Sequence, residues 1–210
     1  MNSKERTQKL SALAREIAVA LNRLVPLRPW TFVEPSEDTY SVYLRNAGKA
    51  RIYFQFDDWA HDEPKRLSVS GYMHIGKNNS HVEVYEKGER LTAPRITVGT
   101  ARGAEAIAKD ITRRFLPEYL RIFALAEEKV AKEIAYENAQ AALLSECLRV
   151  CGKVRASHGY AQGKGTAYLD PENYRKNVEF SCNDKTIDAK FDDLTLEQVK
   201  HIIEYLKEKE

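Results

Sequence analysis

Cysteine is scarce in this chain, and its scarcity sets the first limit on what the protein is. Cys147, Cys151 and Cys182 are an odd number in 210 residues and too few for a disulfide scaffold, so reduced thiols are expected. Long apolar runs are missing as well. Nowhere do as many as eighteen apolar residues follow one another, the length a membrane-spanning helix needs, so no membrane partner is expected. The opening residues Met1 to Arg6 lead into an amphipathic stretch that carries Arg15, Glu16 and Arg23, unlike the apolar core of a signal peptide. A soluble, cytoplasmic protein is the expectation.

Charge of one sign is also lacking. Lys and Arg number 33 against 31 Asp and Glu, a net +2 without the excess of a histone-like coat, so any nucleic-acid contact must come from a local patch. Complete catalytic signatures do not occur. There is no Gly-x-Ser-x-Gly elbow, no His-Glu-x-x-His pair and no dinucleotide fingerprint. Gly163-Lys164-Gly165-Thr166 looks like the end of a phosphate loop, but Gly159 is one position too close to Gly163 and Thr166 does not follow the lysine directly. An enzyme of a familiar class is not expected, nor is a cofactor.

What is present is enough to fold. With 43% hydrophobic and 30% charged residues, the composition lies far from that of disordered chains. Leu10, Leu13, Ile17, Leu21 and Leu24 recur at helical steps and predict an amphipathic helix ended by Pro26 and Pro29. From Trp30 to Gly99 the period changes to two. Tyr40-Val42-Leu44 alternates with Ser41-Tyr43-Arg45, and Ile52-Phe54-Phe56 with Arg51-Tyr53-Gln55, around the turn Asn46-Ala47-Gly48-Lys49. Further runs at 67–75, 81–85 and 95–98 predict an antiparallel meander of about five strands with one packed and one wet face.

The helical period returns after Gly99. Ala104, Ile107, Ala108, Ile111 and Phe115 share one side, and Pro117 starts a second helix or kinks a continuous one. Leu120, Phe123, Val130, Ile134, Ala141, Leu144 and Leu148 continue a long helix whose seam is broken at Glu127 and Glu137, which disfavours a homodimeric coiled coil. Residues 152–165 read as a loop. A hairpin follows, with Val178–Ser181 and Thr186–Phe191 around Cys182-Asn183-Asp184-Lys185, and then a last helix that Asp193 or Thr195 can cap, Gln198 completing a capping box with Thr195. Strands cluster and do not alternate with crossover helices, so the expected class is α+β, one domain over 1–210 with substructure at 1–100 and 101–210.

Five groups invite chemistry. Asp57, Asp58, His61, Asp62 and Glu63 concentrate ligands for a hard divalent cation and suggest a metal-dependent hydrolase or nuclease; a solvated connection flanked by Lys65 and Arg66 accounts for them equally. Cys147 and Cys151, with His158 and Cys182, match a Cys₃His zinc set in type though not in spacing, and core packing is the alternative. His74 and His81 flank the Gly76–Ser80 turn and can face each other, without a motif around them. From Cys147 to Leu169 the chain carries Arg149, Lys153, Arg155 and Lys164 with His158 and Tyr160 and no carboxylate, a composition suited to tracking phosphates. Arg102, Lys109 and Arg113 make a basic stripe on the helix after Gly99, with Glu105 and Asp110 close by.

The stretch Arg95-Ile96-Thr97-Val98 followed by Ala104 to Tyr119 resembles a recurrent segment of uncharacterised proteins from bacterial prophages and plasmids. The resemblance implies a mobile-element origin and transfers no catalytic residue. It implies a non-enzymatic accessory protein that binds nucleic acid or a host protein complex, such as a defence system it inhibits. The basic segment from Arg149 to Lys164 and the stripe Arg102/Lys109/Arg113 are the expected binding residues.

Overall fold

The computed structural model describes residues 3–35, 40–57, 64–151, 154–155, 164–168, 177–192 and 194–207. They form an α+β fold with two compact units, Met1–Val130 and Ala131–Glu210, the division falling inside one long helix.

In the first unit α1 (Ser3–Leu24) precedes a five-stranded antiparallel sheet of β1 (Trp30–Val33), β2 (Val42–Asn46), β3 (Arg51–Phe56), β4 (Arg66–Gly71) and β7 (Arg95–Gly99) in that spatial order. Leu10, Ile17 and Leu21 of α1 are buried, whereas Leu24, the last residue of the helix, is exposed. Asn22 fixes the angle between helix and sheet. Its Oδ1 accepts the Trp30 N–H at 2.6 Å and its Nδ2 donates to the Trp30 carbonyl at 3.0 Å, satisfying both backbone groups of a residue whose indole is buried.

The sheet has the expected number of strands with one change of membership. The run at 81–85 leaves the sheet and forms a separate hairpin of β5 (Val84–Glu86) and β6 (Glu89–Leu91), and Trp30–Val33 takes the edge position. Lys87 and Gly88 both have positive φ, the conformation a two-residue type I′ turn demands, so the local turn chemistry closes the hairpin on itself.

α2 (Gly103–Asp110) runs through a π-helical turn, Ile111–Phe115, into α3 (Leu116–Cys151). Pro117 sits in the first turn of α3. It has no N–H to donate, and the wider turn before it accommodates the lost bond without ending the helix. Ile107, Ala108, Ile111, Phe115, Tyr119, Ile122, Phe123 and Ala126 are buried with α1 and with Val42, Leu44, Ile52, Phe54, Leu67, Val69 and Val98 in one core. All three helices therefore cover the same face of the sheet.

The second unit contains the rest of α3 and a four-stranded antiparallel sheet in the order β11 (Ile187–Phe191), β10 (Asn177–Cys182), β9 (Lys164–Tyr168), β8 (Val154–Arg155). The β10–β11 hairpin is the expected one; β8 and the start of β9 fall where a loop was expected. Gly165 weakens the strand signal of β9, but it stands opposite Phe180, so cross-strand pairing overrides local propensity. α4 (Leu196–Lys207) closes the chain. Its capping box is formed by Thr195: the Gln198 N–H donates to Thr195 Oγ1 at 3.3 Å and the Thr195 N–H to Gln198 Oε1 at 2.9 Å. Among the described residues no helix is long and apolar enough to cross a membrane.

Candidate functional site

Because side chains alternate along a strand, burying Val42, Leu44, Ile52, Phe54, Leu67 and Val69 turns Tyr43, Arg45, Arg51, Tyr53, Gln55 and Ser70 to the other face. That face carries a continuous row of rings. Tyr43 and Tyr53, direct partners across β2 and β3, stack at 5.1 Å between centroids and 20° between planes. Tyr53 stacks on Tyr72 at 5.1 Å, Tyr72 on His74 at 4.6 Å, and His74 meets the edge of His81 at 5.0 Å. The contacts from Tyr43 through Tyr53 and Tyr72 to His74 are stacked, with 20° to 30° between ring planes, and both imidazoles are exposed.

Arg51 lies within the row. Its guanidinium is 5.6 Å from the Tyr43 ring and 5.0 Å from the Tyr72 ring. Burial raises the pKa of Tyr53, a rise that the neighbouring Arg51 guanidinium opposes, so the phenol stays a neutral donor at physiological pH. Directly opposite Arg51 in the β2–β3 ladder stands Arg45. Two like charges facing each other across a ladder destabilise it, and neither arginine makes an ion pair with a carboxylate among the described residues.

The backbone beneath Arg51 is fixed from below. The buried Tyr119 hydroxyl of α3 accepts the Arg51 N–H at 2.9 Å and donates toward the carbonyls of Arg51 at 2.8 Å and Tyr72 at 3.2 Å. Its ring passes beside Gly71, where a Cβ would lie 2.3 Å from Tyr119 Cδ2, so the close approach requires glycine. Burial pushes the Tyr119 phenol up to about 12. One helix residue thus ties together the two strand segments that present Arg51 and Tyr72.

Toward β7 the same face is neutralised. Arg95 donates to Asp57 Oδ1 at 2.9 Å and to Ser68 Oγ at 2.6 Å, and Thr97 donates to Asp57 Oδ2 at 3.1 Å. Among the described residues of this face, the β2–β3 side carries two arginines, Arg45 and Arg51, without a carboxylate ion pair.

The residues expected from sequence are distributed differently. Arg102 pairs with Asp110, a carboxylate only 7% exposed that Arg113 approaches at 3.6 Å and Arg114 at 3.9 Å, so one acid serves three guanidinium groups. Lys109 is exposed on the same helix. Arg149 is paired with Glu146 at 2.6 Å and holds that carboxyl below its ordinary range. Lys164 is exposed and lines a shallow groove with Glu179, Asp188 and Lys190. Lys153, His158, Tyr160 and the Arg155 side chain lie outside the described residues, as do Asp58, His61, Asp62 and Glu63 of the acidic cluster. Asp57, its described member, is engaged by Arg95 and Thr97, and no cluster of metal-ligating side chains occurs among the described residues. His74 and His81 do face each other, as the turn between them suggested.

The tyrosine row was not anticipated as a site, although the signal was available. A hairpin turning over Asn46 to Lys49, with Ala50 donating to Asn46 Oδ1 at 2.9 Å, sets Tyr43 opposite Tyr53 and Arg45 opposite Arg51 by counting alone. Comparison with protein families, with curated proteins and with solved structures gives no match.

Proposed function

We propose that the protein is a non-enzymatic binding protein that holds single-stranded nucleic acid on the open face of its five-stranded sheet. The observation that carries this reading is the Arg45–Arg51 pair, two facing cations without a carboxylate partner among the described residues, set in a row of tyrosines. A phosphodiester between the two guanidinium groups relieves their repulsion, and the tyrosine hydroxyls donate to neighbouring phosphate and sugar oxygens. The exposed rings of His74 and His81 offer faces on which an unpaired base can stack. The stripe Arg102/Lys109/Arg113 is a separate basic patch on the helical side, with a positive excess because Asp110 is shared. A cytoplasmic setting, and a role as an accessory protein of a mobile element, fit this activity.

The test is anisotropy of a labelled single-stranded oligonucleotide against potassium chloride concentration. Each phosphate neutralised contributes about 0.7 to the slope of log K against log salt, so Arg45→Ala and Arg51→Ala each flatten the slope by about 0.7. Tyr43→Ala weakens binding and leaves the slope intact. No binding by the native chain at low salt, or unchanged slopes in both arginine variants, removes the proposal. A second reading, a protein partner, is favoured by the exposed apolar residues Phe191, Leu196 and Tyr205 of the second unit; variants there alter partner capture and leave the salt slope unchanged.

A further inference from the structure

The second unit holds a pair of thiols that the proposed interface does not use. Cys147 is half-buried near the end of α3, and Cys182, at the end of β10, is 1% exposed; both are free. They share one small cluster, in which Leu144 and Cys182 are buried and Leu143, Cys147 and Phe180 pack against them. Cys147 thus packs in the same small apolar cluster as the buried Cys182, close enough to add to the rise in the Cys182 pKa.

The two cysteines share this cluster because the helix face packs on the strand end. Gln140, Leu144 and Cys147 are spaced by four and three residues, which places them on one face of α3. Gln140, itself buried, donates to the Cys182 carbonyl at 3.0 Å, and Leu144 packs against the Cys182 side chain. Cys182 is also locked into the ladder opposite Ile187, beside the turn closed by the Asn183 N–H on the Thr186 carbonyl at 2.9 Å. Helix face and strand end are thus each fixed by polar and apolar contacts.

We infer that Cys147 and Cys182 form a redox modification site, which a low-molecular-weight disulfide such as glutathione disulfide converts into an intramolecular bridge. Cys147 is the more accessible sulfur and reacts first. Its thiolate attacks one sulfur of the small disulfide, the small S–S bond breaks, a mixed disulfide forms on Cys147, and one small thiolate leaves and takes up a proton. Cys182 sulfur then attacks Cys147 sulfur, its proton passing by way of solvent to the second small thiolate as that group departs. Two protein thiols are oxidised and one small disulfide is reduced to two thiols, so atoms and electrons balance. Burial pushes the Cys182 thiol up to about 11, with Cys147 adding to the rise, so the second step limits the rate and quickens with pH. The bridge ties α3 to the β10–β11 turn and shortens the free chain of the unfolded state, which raises the melting temperature.

The experiment treats the full native chain with glutathione disulfide at mildly alkaline pH, quenches with acid, and reads intact mass, free thiols and cross-linked peptides. The expected product has lost two hydrogens, keeps Cys151 as its free thiol, yields a Cys147–Cys182 peptide, and melts higher than the reduced chain until dithiothreitol reverses the change. Cys182→Ala stops at a glutathione adduct on Cys147, and Cys147→Ser slows modification of Cys182 at least about tenfold. The mapping of the native chain needs no variant to fold. A Cys147–Cys151 link, a persistent mixed disulfide on the native chain, or unslowed modification of Cys182 in the Cys147→Ser chain overturns the inference.

Discussion

Replacing Tyr119 by Phe removes one oxygen and tests how the sheet is tied to α3. That hydroxyl accepts the Arg51 N–H and donates toward the Arg51 and Tyr72 carbonyls, and the residue is 0% exposed. The Arg51 carbonyl keeps a second partner, the Tyr72 N–H at 3.1 Å, so the variant orphans the Arg51 N–H and the Tyr72 carbonyl. Leaving buried polar groups unpaired costs about 2 kcal/mol near neutral pH. The pH dependence gives an independent check. A phenol raised from 10.0 to about 12 on folding stabilises the protein fully below pH 10, and that stability is lost as pH rises toward 12. The native chain thereby loses about 1.4 kcal/mol by pH 11 from this group, and Tyr119→Phe does not. Urea unfolding of both proteins from pH 7 to 11 should show a gap of about 2 kcal/mol that narrows to well under 1 kcal/mol as the phenol ionises. A gap that is small at neutral pH, or that stays constant to pH 11, refutes the assigned role.

Gly71→Ala forces a methyl to 2.3 Å from the same ring, which is buried and tied by its hydroxyl, so the melting temperature should fall by an amount equivalent to about 3 kcal/mol; an unchanged melting temperature contradicts the close approach. Thr195→Ala removes the acceptor of the Gln198 N–H and should cost about 1 kcal/mol of local stability, read as about fivefold faster hydrogen exchange across α4 with no change in the first unit.

The features legible in the sequence are those fixed by local chemistry. Leu10, Ile17 and Leu21 announce the buried side of α1, Asn46 to Lys49 the β2–β3 turn, and Thr195 with Gln198 the start of α4. Where the reading departed from the structure, pairing partners distant in the chain decide. Trp30–Val33 becomes a sheet edge because Asn22 holds both backbone groups of Trp30, and Gly165 becomes strand because β10 lies beside it. The same holds for the site. Charge counted along the chain pointed to the segment after Cys147 and to Arg102, but Arg149 and Arg102 each have a carboxylate within reach, supplied by folding. Arg51 looked like an ordinary outward residue of a wet strand. Its lack of a carboxylate partner among the described residues and its contacts with Tyr43 and Tyr72 appear only once three strand segments are in register.

The most direct measurement of the central claim is a titration of the native chain with a short single-stranded oligonucleotide, followed by the ring-proton NMR signals of Tyr43, Tyr53, Tyr72, His74 and His81. Saturable shifts are expected for these five residues, lost in the Arg45→Ala/Arg51→Ala double variant. Shifts confined to the second unit or to the α2 stripe, with the tyrosine row unmoved, contradict the claim.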